Sequence, residues 1–369
     1  MGNTIFKKYS TATLLYKILN DEYLMLSEDG KIKNGCKYNI NIPELKIQNS
    51  KFIGKPEDKF ETLLFLPPNP QRIAEGGLRT KGLFKFSYKL VDNQWHVCDL
   101  EGNPLIPAPK EIQEKINEYV NGLEDSDKRA ITQLPLITVI TVVYNGAKHL
   151  EETIKSVLNQ TYPNVEYIII DGGSTDGTLD IIKKYEDKID YWVSEPDEGI
   201  YDAMNKGILT ALGKGLLFLN SGDKFLSKNC FNDLKIPAFL YCTYYIRVGN
   251  KLLKRVISKP RNYKLGLPVP HQSILFENRR ILYNTSYKLA ADYDYFLKHG
   301  YNNKLPFIKG SLVFYDNFGI SSKEIMIRDK ELLKIIKENF SFQHFISAYI
   351  FFAFKRAIKK MIRLLFYDK

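Results

Sequence analysis

Four apolar runs in the middle of the chain, at residues 136–144, 165–170, 191–193 and 215–219, are rich in β-branched and aromatic residues and mostly lack strict alternation. Such runs suit parallel strands buried on both faces. Between them, residues 150–158, 178–185 and 200–212 carry apolar positions at helical spacing. This alternation predicts right-handed βαβ units, and so an α/β fold with a mostly parallel, Rossmann-like sheet flanked by helices.

The flanking pattern changes in kind. Residues 239–248 and 251–257, separated by Gly249-Asn250, read as an antiparallel hairpin, and residues 268–276 as a proline-restrained loop that becomes a strand. A helix is expected from Ala290, with Tyr293, Phe296 and Leu297 on one face. In the first 130 residues, short apolar stretches (63–66, 83–88, 94–97) are broken by Pro67-Pro68, Gly76-Gly77 and residues 99–104, which suggests a small, mainly β module. A helix over 111–123 and a linker ending near residues 124–128 close it. The expected organisation is an accessory module and linker helix over 1–130, a central domain over 131–322, and C-terminal helices over 323–369.

In parallel sheets, ligands collect beyond the carboxyl ends of the strands. Those ends read Tyr144-Asn-Gly146, Asp171-Gly-Gly-Ser-Thr-Asp-Gly177, Ser194-Glu-Pro-Asp-Glu-Gly199 and Asn220-Ser-Gly-Asp223, three of them with carboxylates. Acids at such a mouth repel a phosphate unless a divalent cation sits between them, so the pattern suggests a metal-bridged diphosphate. Other signatures fail on spacing. The glycines of 171–177 do not match G-x-G-x-x-G or a calcium loop, residues 207–214 miss the phosphate-loop pattern, and neither G-x-S-x-G nor H-E-x-x-H occurs.

Residues 136–223, with Thr141-Val-Val-Tyr-Asn-Gly146, the loop 171–177, Gly199-Ile-Tyr-Asp-Ala-Met-Asn-Lys-Gly207 and Asn220-Ser-Gly-Asp223, resemble a family 2 glycosyltransferase of the GT-A fold, closest to the bacterial surface-polysaccharide branch. Pro270-His-Gln-Ser273, Ala290-Ala-Asp-Tyr-Asp294 and Asn317-Phe-Gly-Ile-Ser321 resemble that branch's acceptor-side motifs, in the same order. The resemblance covers roughly half the chain. It implies inverting transfer of a hexosyl or N-acetylhexosaminyl group from a nucleotide-sugar donor, UDP-linked, to a glycan or lipid-linked acceptor. Magnesium or manganese is the implied cofactor.

Carried over residue by residue, the resemblance implies donor contacts at Thr141, Tyr144, Asn145, Asp171, Asn205, Lys206 and Ser221, metal contacts at Asp223 and His271, and a general base at Asp292. Two positions depart from the family's pattern. Asn220 replaces the first acid of its D-x-D metal signature, and Met204 stands where an arginine is frequent, with Lys206 the nearby candidate replacement. Structural roles compete at several sites: a strand cap for Tyr144 and Asn145, a helix-start acid for Asp171, a turn for residues 221–223, and N-capping for Asp292 with Asp294 as the alternative base. Residues 75–82 admit either an anion-binding glycine segment beside Arg79 and Lys81 or a hairpin turn.

Charge and cysteines add location. The 369 residues carry a net charge of +11, and no nucleic-acid-binding signature accompanies it, so nucleic acid is not an expected partner. Cys36, Cys98, Cys230 and Cys242 form no C-x-x-C pair, which fits a reduced cytoplasm, and no secretory signal is read at the N-terminus. Residues 340–367 set aromatic and aliphatic side chains beside Lys355, Arg356, Lys359, Lys360 and Arg363. That composition reads as a helix lying in the inner face of the cytoplasmic membrane, with packing on the core or on another subunit as the alternative. A non-catalytic glycan-binding or scaffold protein and a sugar nucleotidyltransferase are the rival functions.

Overall fold

The computed structural model describes residues 25–26, 32–33, 63–98, 102–123, 131–248, 251–257, 261–316 and 324–366, apart from 82, 233 and 235. The motif at 317–321, the linker at 124–128, Gly249-Asn250 and the first ten residues lie outside them. Strands β1 (Met25–Leu26) and β2 (Ile32–Lys33) pair with each other. Then come β3 (Ala74–Gly76), a 3-10 turn at Leu78–Lys81, β4 (Tyr88–Val91), β5 (Gln94–Cys98), β6 (Pro104–Pro107), α1 (Lys110–Asn121) and β7 (Gln133–Leu134). The core follows as β8 (Ile137–Val143), α2 (Ala147–Leu158), β9 (Val165–Asp171), α3 (Thr178–Lys184), β10 (Tyr191–Ser194), α4 (Ile200–Thr210) and β11 (Gly215–Phe218). The remainder is β12 (Lys224–Phe225), β13 (Ala238–Val248), β14 (Lys251–Ile257), 3-10 turns at Tyr263–Leu265 and His271–Ser273, β15 (Ile274–Glu277), α5 (Ala291–Lys298), β16 (Phe307–Asp316), α6 (Ile325–Asn339) and α7 (Phe342–Phe366).

The fold is α/β, with one mixed, mostly parallel main sheet, a small antiparallel N-terminal sheet and C-terminal helices. Strands β10, β9, β8 and β11 lie side by side in parallel, as the four apolar runs require. Alternate residues feed two cores. Val139, Tyr167, Ile169 and Leu217 meet α2 and α3 on one face, while Ile140, Ile168, Ile170 and Phe218 meet α4 and α5 on the other. Beyond β11, β15 adds antiparallel, β13 pairs with β15, β14 and β16, and β12 closes the edge.

The N-terminal region keeps the expected small β module and helix, and departs from the expected outline in the segment 63–81. Strands β6, β5, β4 and β7 form the small sheet, and Trp95, Val97 and Ile116 join the core beneath α2. Residues 63–66 are not a strand. They bend at 64–65 and strap across the sheet, with Leu63 N–H donating to Leu209 O at 2.7 Å and Leu66 N–H to the Tyr191 hydroxyl at 3.2 Å. Residues 75–81 do not form a hairpin turn: β3 adds antiparallel to β10 as an edge strand, and the 3-10 turn carries Arg79 into the interior.

There Arg79 pairs with Glu166 at 2.6 Å, both side chains 1% exposed. Glu166 also accepts from the Thr138 hydroxyl (2.5 Å) and Leu212 N–H (2.9 Å), so one carboxylate joins β8, β9, the end of α4 and the N-terminal segment. Removing one partner of such a pair leaves an uncompensated buried charge. Arg79→Met is expected to lower unfolding stability by about 3–5 kcal/mol in urea denaturation. A loss under about 1 kcal/mol would show that the N-terminal segment is not bolted to the sheet by this pair.

Candidate active site

Strand order reverses at β8: β9 and β10 continue on one side and β11 lies on the other. The loops after β8 and β11 therefore splay apart and open a crevice at the carboxyl edge. They remain close at their base, where a Cβ on Gly146 would fall 2.7 Å from Ser221 Oγ. Asn145 adopts φ +49°, a conformation asparagine tolerates better than most residues. Its N–H donates to Ser174 Oγ at 2.7 Å and its Oδ1 accepts from Thr175 N–H at 2.9 Å, which locks the loops after β8 and β9 together.

Tyr144 stands 70% exposed at the end of β8. A Cβ on Gly172 would lie 3.4 Å from the Tyr144 ring and 2.8 Å from Asp197 Oδ2, and one on Gly173 would lie 3.6 Å from Ile73. Two glycines thus floor a narrow slot beside an aromatic face, a carboxylate and an apolar side chain. Such a slot suits a planar ring with a polar edge.

The second pole is Asp223, 6% exposed in the turn after β11. Its Oδ2 accepts from Gln272 Nε2 at 2.9 Å. The neighbouring His271 brings Nδ1 to 3.7 Å from Asp292 Oδ2 on the first turn of α5. The single turn 271–273 thereby links the two acids. Asn220 Oδ1, Ser221 Oγ, His271 Nε2, Gln272 Oε1 and Ser273 Oγ are buried and have no hydrogen-bond partner among the described residues. Desolvated polar atoms normally find partners, so these five call for a water, an ion or a polar ligand at this place. Asp292 Oδ1 accepts from Tyr293 N–H at 2.8 Å and the side chain is 24% exposed, whereas Asp294 pairs with Lys298 at 3.4 Å.

Other residues singled out from the sequence face inward. Thr141 is fully buried and donates to Leu219 O at 2.7 Å. Asp171 is fully buried, with Oδ1 accepting from Ser174 Oγ (2.5 Å) and Oδ2 from Ser174 N–H (3.1 Å) and Ser194 Oγ (2.6 Å). It braces the loop after β9 against β10. Asn205 exchanges two hydrogen bonds with the Tyr283 backbone, at 2.8 and 3.0 Å, and anchors the chain that leads to α5.

Lys206 lies 2.6 Å from Asp197 and 3.0 Å from Glu195 in the loop after β10, and 3.8 Å from Asp202 in the first turn of its own helix, α4. Burial disfavours its charge, but Asp197 and Glu195 hold its pKa above the usual lysine value. For Glu195 burial raises the pKa, and Lys206 with Arg72 outweighs it and lowers the net value. Arg72 reaches Glu195 at 2.8 Å from the N-terminal segment. Arg72 and Ile73 fall in no sequence motif, whereas Asp197 and Gln272 lie inside the motifs 194–199 and 270–273 without standing out there as site residues.

A model of Glycosyl transferase family 2 matches residues 138–234. The PGL/p-HBAD biosynthesis glycosyltransferase of Mycobacterium bovis (strain BCG / Pasteur 1173P2) is 30% identical over 224 residues, 54% of this chain and 83% of that protein. The chain belongs to glycosyl transferase family 2. TuaG of Bacillus subtilis (strain 168), a glycosyltransferase named for teichuronic acid biosynthesis, is 43% identical over 114 residues, 30% of this chain. The family 2 chain spans 45% of TuaG's length, and 37% of two uncharacterised mycobacterial glycosyltransferases. The mannosyltransferase PcManGT from Pyrobaculum calidifontis, solved in complex with GDP-Man and Mn2+, superposes with a TM-score of 0.41 at 20% identity, over 55% of this chain and 63% of that one.

The glycine floor supplies a direct test. Gly172→Val puts branched carbon against Tyr144 and Asp197 and should weaken nucleoside diphosphate binding about tenfold or more in calorimetry, roughly 1.4 kcal/mol. Unchanged affinity would mean that the slot does not receive the nucleotide.

Proposed function

We propose that this chain is a nucleotide-sugar glycosyltransferase that moves a hexosyl or N-acetylhexosaminyl group from a UDP-sugar to a glycan or lipid-linked acceptor in bacterial surface-polysaccharide assembly. The supporting observation is the pairing of Asp223 and Asp292 across the turn 271–273, amid buried polar atoms without partners. The family supports the reaction class, and the relatives named for teichuronic acid and PGL/p-HBAD biosynthesis support the setting.

The nucleobase would enter the slot beside Tyr144, over Gly172 and Gly173, and the diphosphate would run toward Ser221 and Asp223. Among the described residues no group of three His, Cys, Asp or Glu side chains is positioned to hold a metal. The oxygen-rich surroundings of Asp223 nonetheless fit magnesium or manganese, which are commonly held by one or two carboxylates with water and substrate phosphates. Such a cation, when bound, supplies positive charge against the leaving diphosphate. His271, between the two acids, completes that pole.

Asp292 would accept the proton of the acceptor hydroxyl as its oxygen bonds to the anomeric carbon. The carbon–phosphate-oxygen bond breaks on the opposite face, its electron pair leaves with the nucleoside diphosphate, and the anomeric configuration inverts. Phe218 packs against the His271 ring and Tyr283, and Tyr283 stacks at 4.1 Å on Tyr295 of α5, a rigid support for these positions.

A panel of nucleotide sugars, assayed with and without Mn2+, tests the reading. Release of nucleoside diphosphate is expected. Asp223→Ala should weaken donor binding mainly when metal is present, and Asp292→Asn should lower turnover about a hundred- to ten-thousand-fold while donor affinity holds. Pyrophosphate release would indicate a nucleotidyltransferase. Silence across the panel would favour a non-catalytic scaffold, the reading that Asn220 at the first position of the metal signature supports.

The proposal also seats the enzyme on the inner face of the cytoplasmic membrane. Ala348 and Phe352 of α7 pack on the core, whereas Phe342, Ile346, Tyr349, Ile350 and Phe354 are exposed. Five Lys and Arg residues follow between 355 and 363. That combination suits the interface of an anionic bilayer, and no described helix is long and apolar enough to cross one. Replacing Ile350 and Phe354 by serine should abolish sedimentation with anionic liposomes and leave donor binding intact. Undiminished sedimentation would contradict the membrane assignment.

A further inference from the structure

We infer that Glu331, on α6, is a positioning residue for Asp292, an inference that rests on Asp292 being the general base. The Glu331 carboxylate accepts three consecutive backbone N–H groups: Oε1 from Lys288 at 2.8 Å, and Oε2 from Leu289 at 2.9 Å and Ala290 at 3.0 Å. These residues lead directly into α5. Ala290 is its N-cap and offers no side-chain cap, so the approach to the helix takes its direction from a carboxylate supplied by another helix. Hydrogen bonds from neutral amides to an ionised carboxylate are among the stronger ones, and three converging on one group fix a loop in orientation as well as position.

Further contacts come from the same side. The Tyr287 hydroxyl donates to Glu338, also on α6, at 3.2 Å. The Tyr293 hydroxyl, one residue past Asp292, donates to Tyr263 O at 2.8 Å, and the Tyr263 ring packs against Phe340 just beyond α6. The stretch 287–293 is thus pinned at Tyr287, at 288–290 and at Tyr293. Glu331 lies nearly a hundred residues beyond the span that the family model matches, yet the backbone it holds ends two residues before the acid placed in the chemical step. A misplacement of about 1 Å in a reacting group costs on the order of a hundredfold in rate.

Glu331→Gln removes the charge and turns an NH2 group toward backbone donors. It is expected to lower kcat about ten- to a hundredfold with donor affinity unchanged, and Glu331→Asp, which keeps the carboxylate, should recover part of the loss. Because Glu331 acts through Asp292, the Glu331→Gln/Asp292→Asn double variant should be no slower than Asp292→Asn alone. In hydrogen exchange, the amides of 288–290 should lose protection in Glu331→Gln, with the effect reaching 291–293, while the melting temperature falls by only a few degrees. Losses that multiply in the double variant, or unaltered exchange over 288–293, would overturn the inference. If the wild-type chain transfers no sugar, the functional reading fails; if it transfers and the losses multiply, only the role of Glu331 fails.

Discussion

Four parallel strands buried on both faces must all turn at the same edge of the sheet, and that constraint organises this molecule. Side chains within β8, β9, β10 and β11 are committed to packing, so the residues free to meet a ligand gather in the loops at that edge. The reversal of strand order at β8 decides where those loops part. Tyr144 and Asp223 lie on either side of that parting, and the loops after β9 and β10 add Gly172 and Asp197.

The second half of the site is built by a different principle. The turn 271–273 and the start of α5 belong to no βαβ unit, and their placement depends on polar contacts with other elements. Gln272 ties the turn to Asp223, Asn205 holds Tyr283, and Glu331 gathers the amides of Lys288, Leu289 and Ala290. The sheet-edge half of the crevice and the half on braced segments thus rest on different contacts and meet at the turn 271–273.

Legibility in the sequence followed the same division. The core strands and helices were readable because burial on both faces produces long β-branched runs and amphipathic spacing, and the strand-end motifs followed from that frame. In the N-terminal region the small β sheet and the helix after it were readable, but the segment 63–81 was not. The two residues of it that matter most, Ile73 and Arg79, sit in a stretch without periodicity, and their partners, the loop after β9 and Glu166, lie about a hundred residues away. Asp171 and Lys206 have the residue types of ligand contacts, but whether such a group faces outward depends on local polar partners, here Ser174, Ser194, Glu195 and Asp197. Nothing in the local sequence around Glu331 separates it from an ordinary helix-surface acid.

The central claim is that one reaction centre lies between Asp223 and Asp292. A crystal structure of the chain with an unreactive UDP-sugar analogue and Mn2+ tests it most directly. The account predicts a nucleobase over Gly172 beside Tyr144, the diphosphate and cation at Asp223, and the anomeric carbon on the side facing Asp292, with His271 and Gln272 in contact with the bound donor. A donor bound away from the crevice, or an anomeric carbon turned from Asp292, would contradict it.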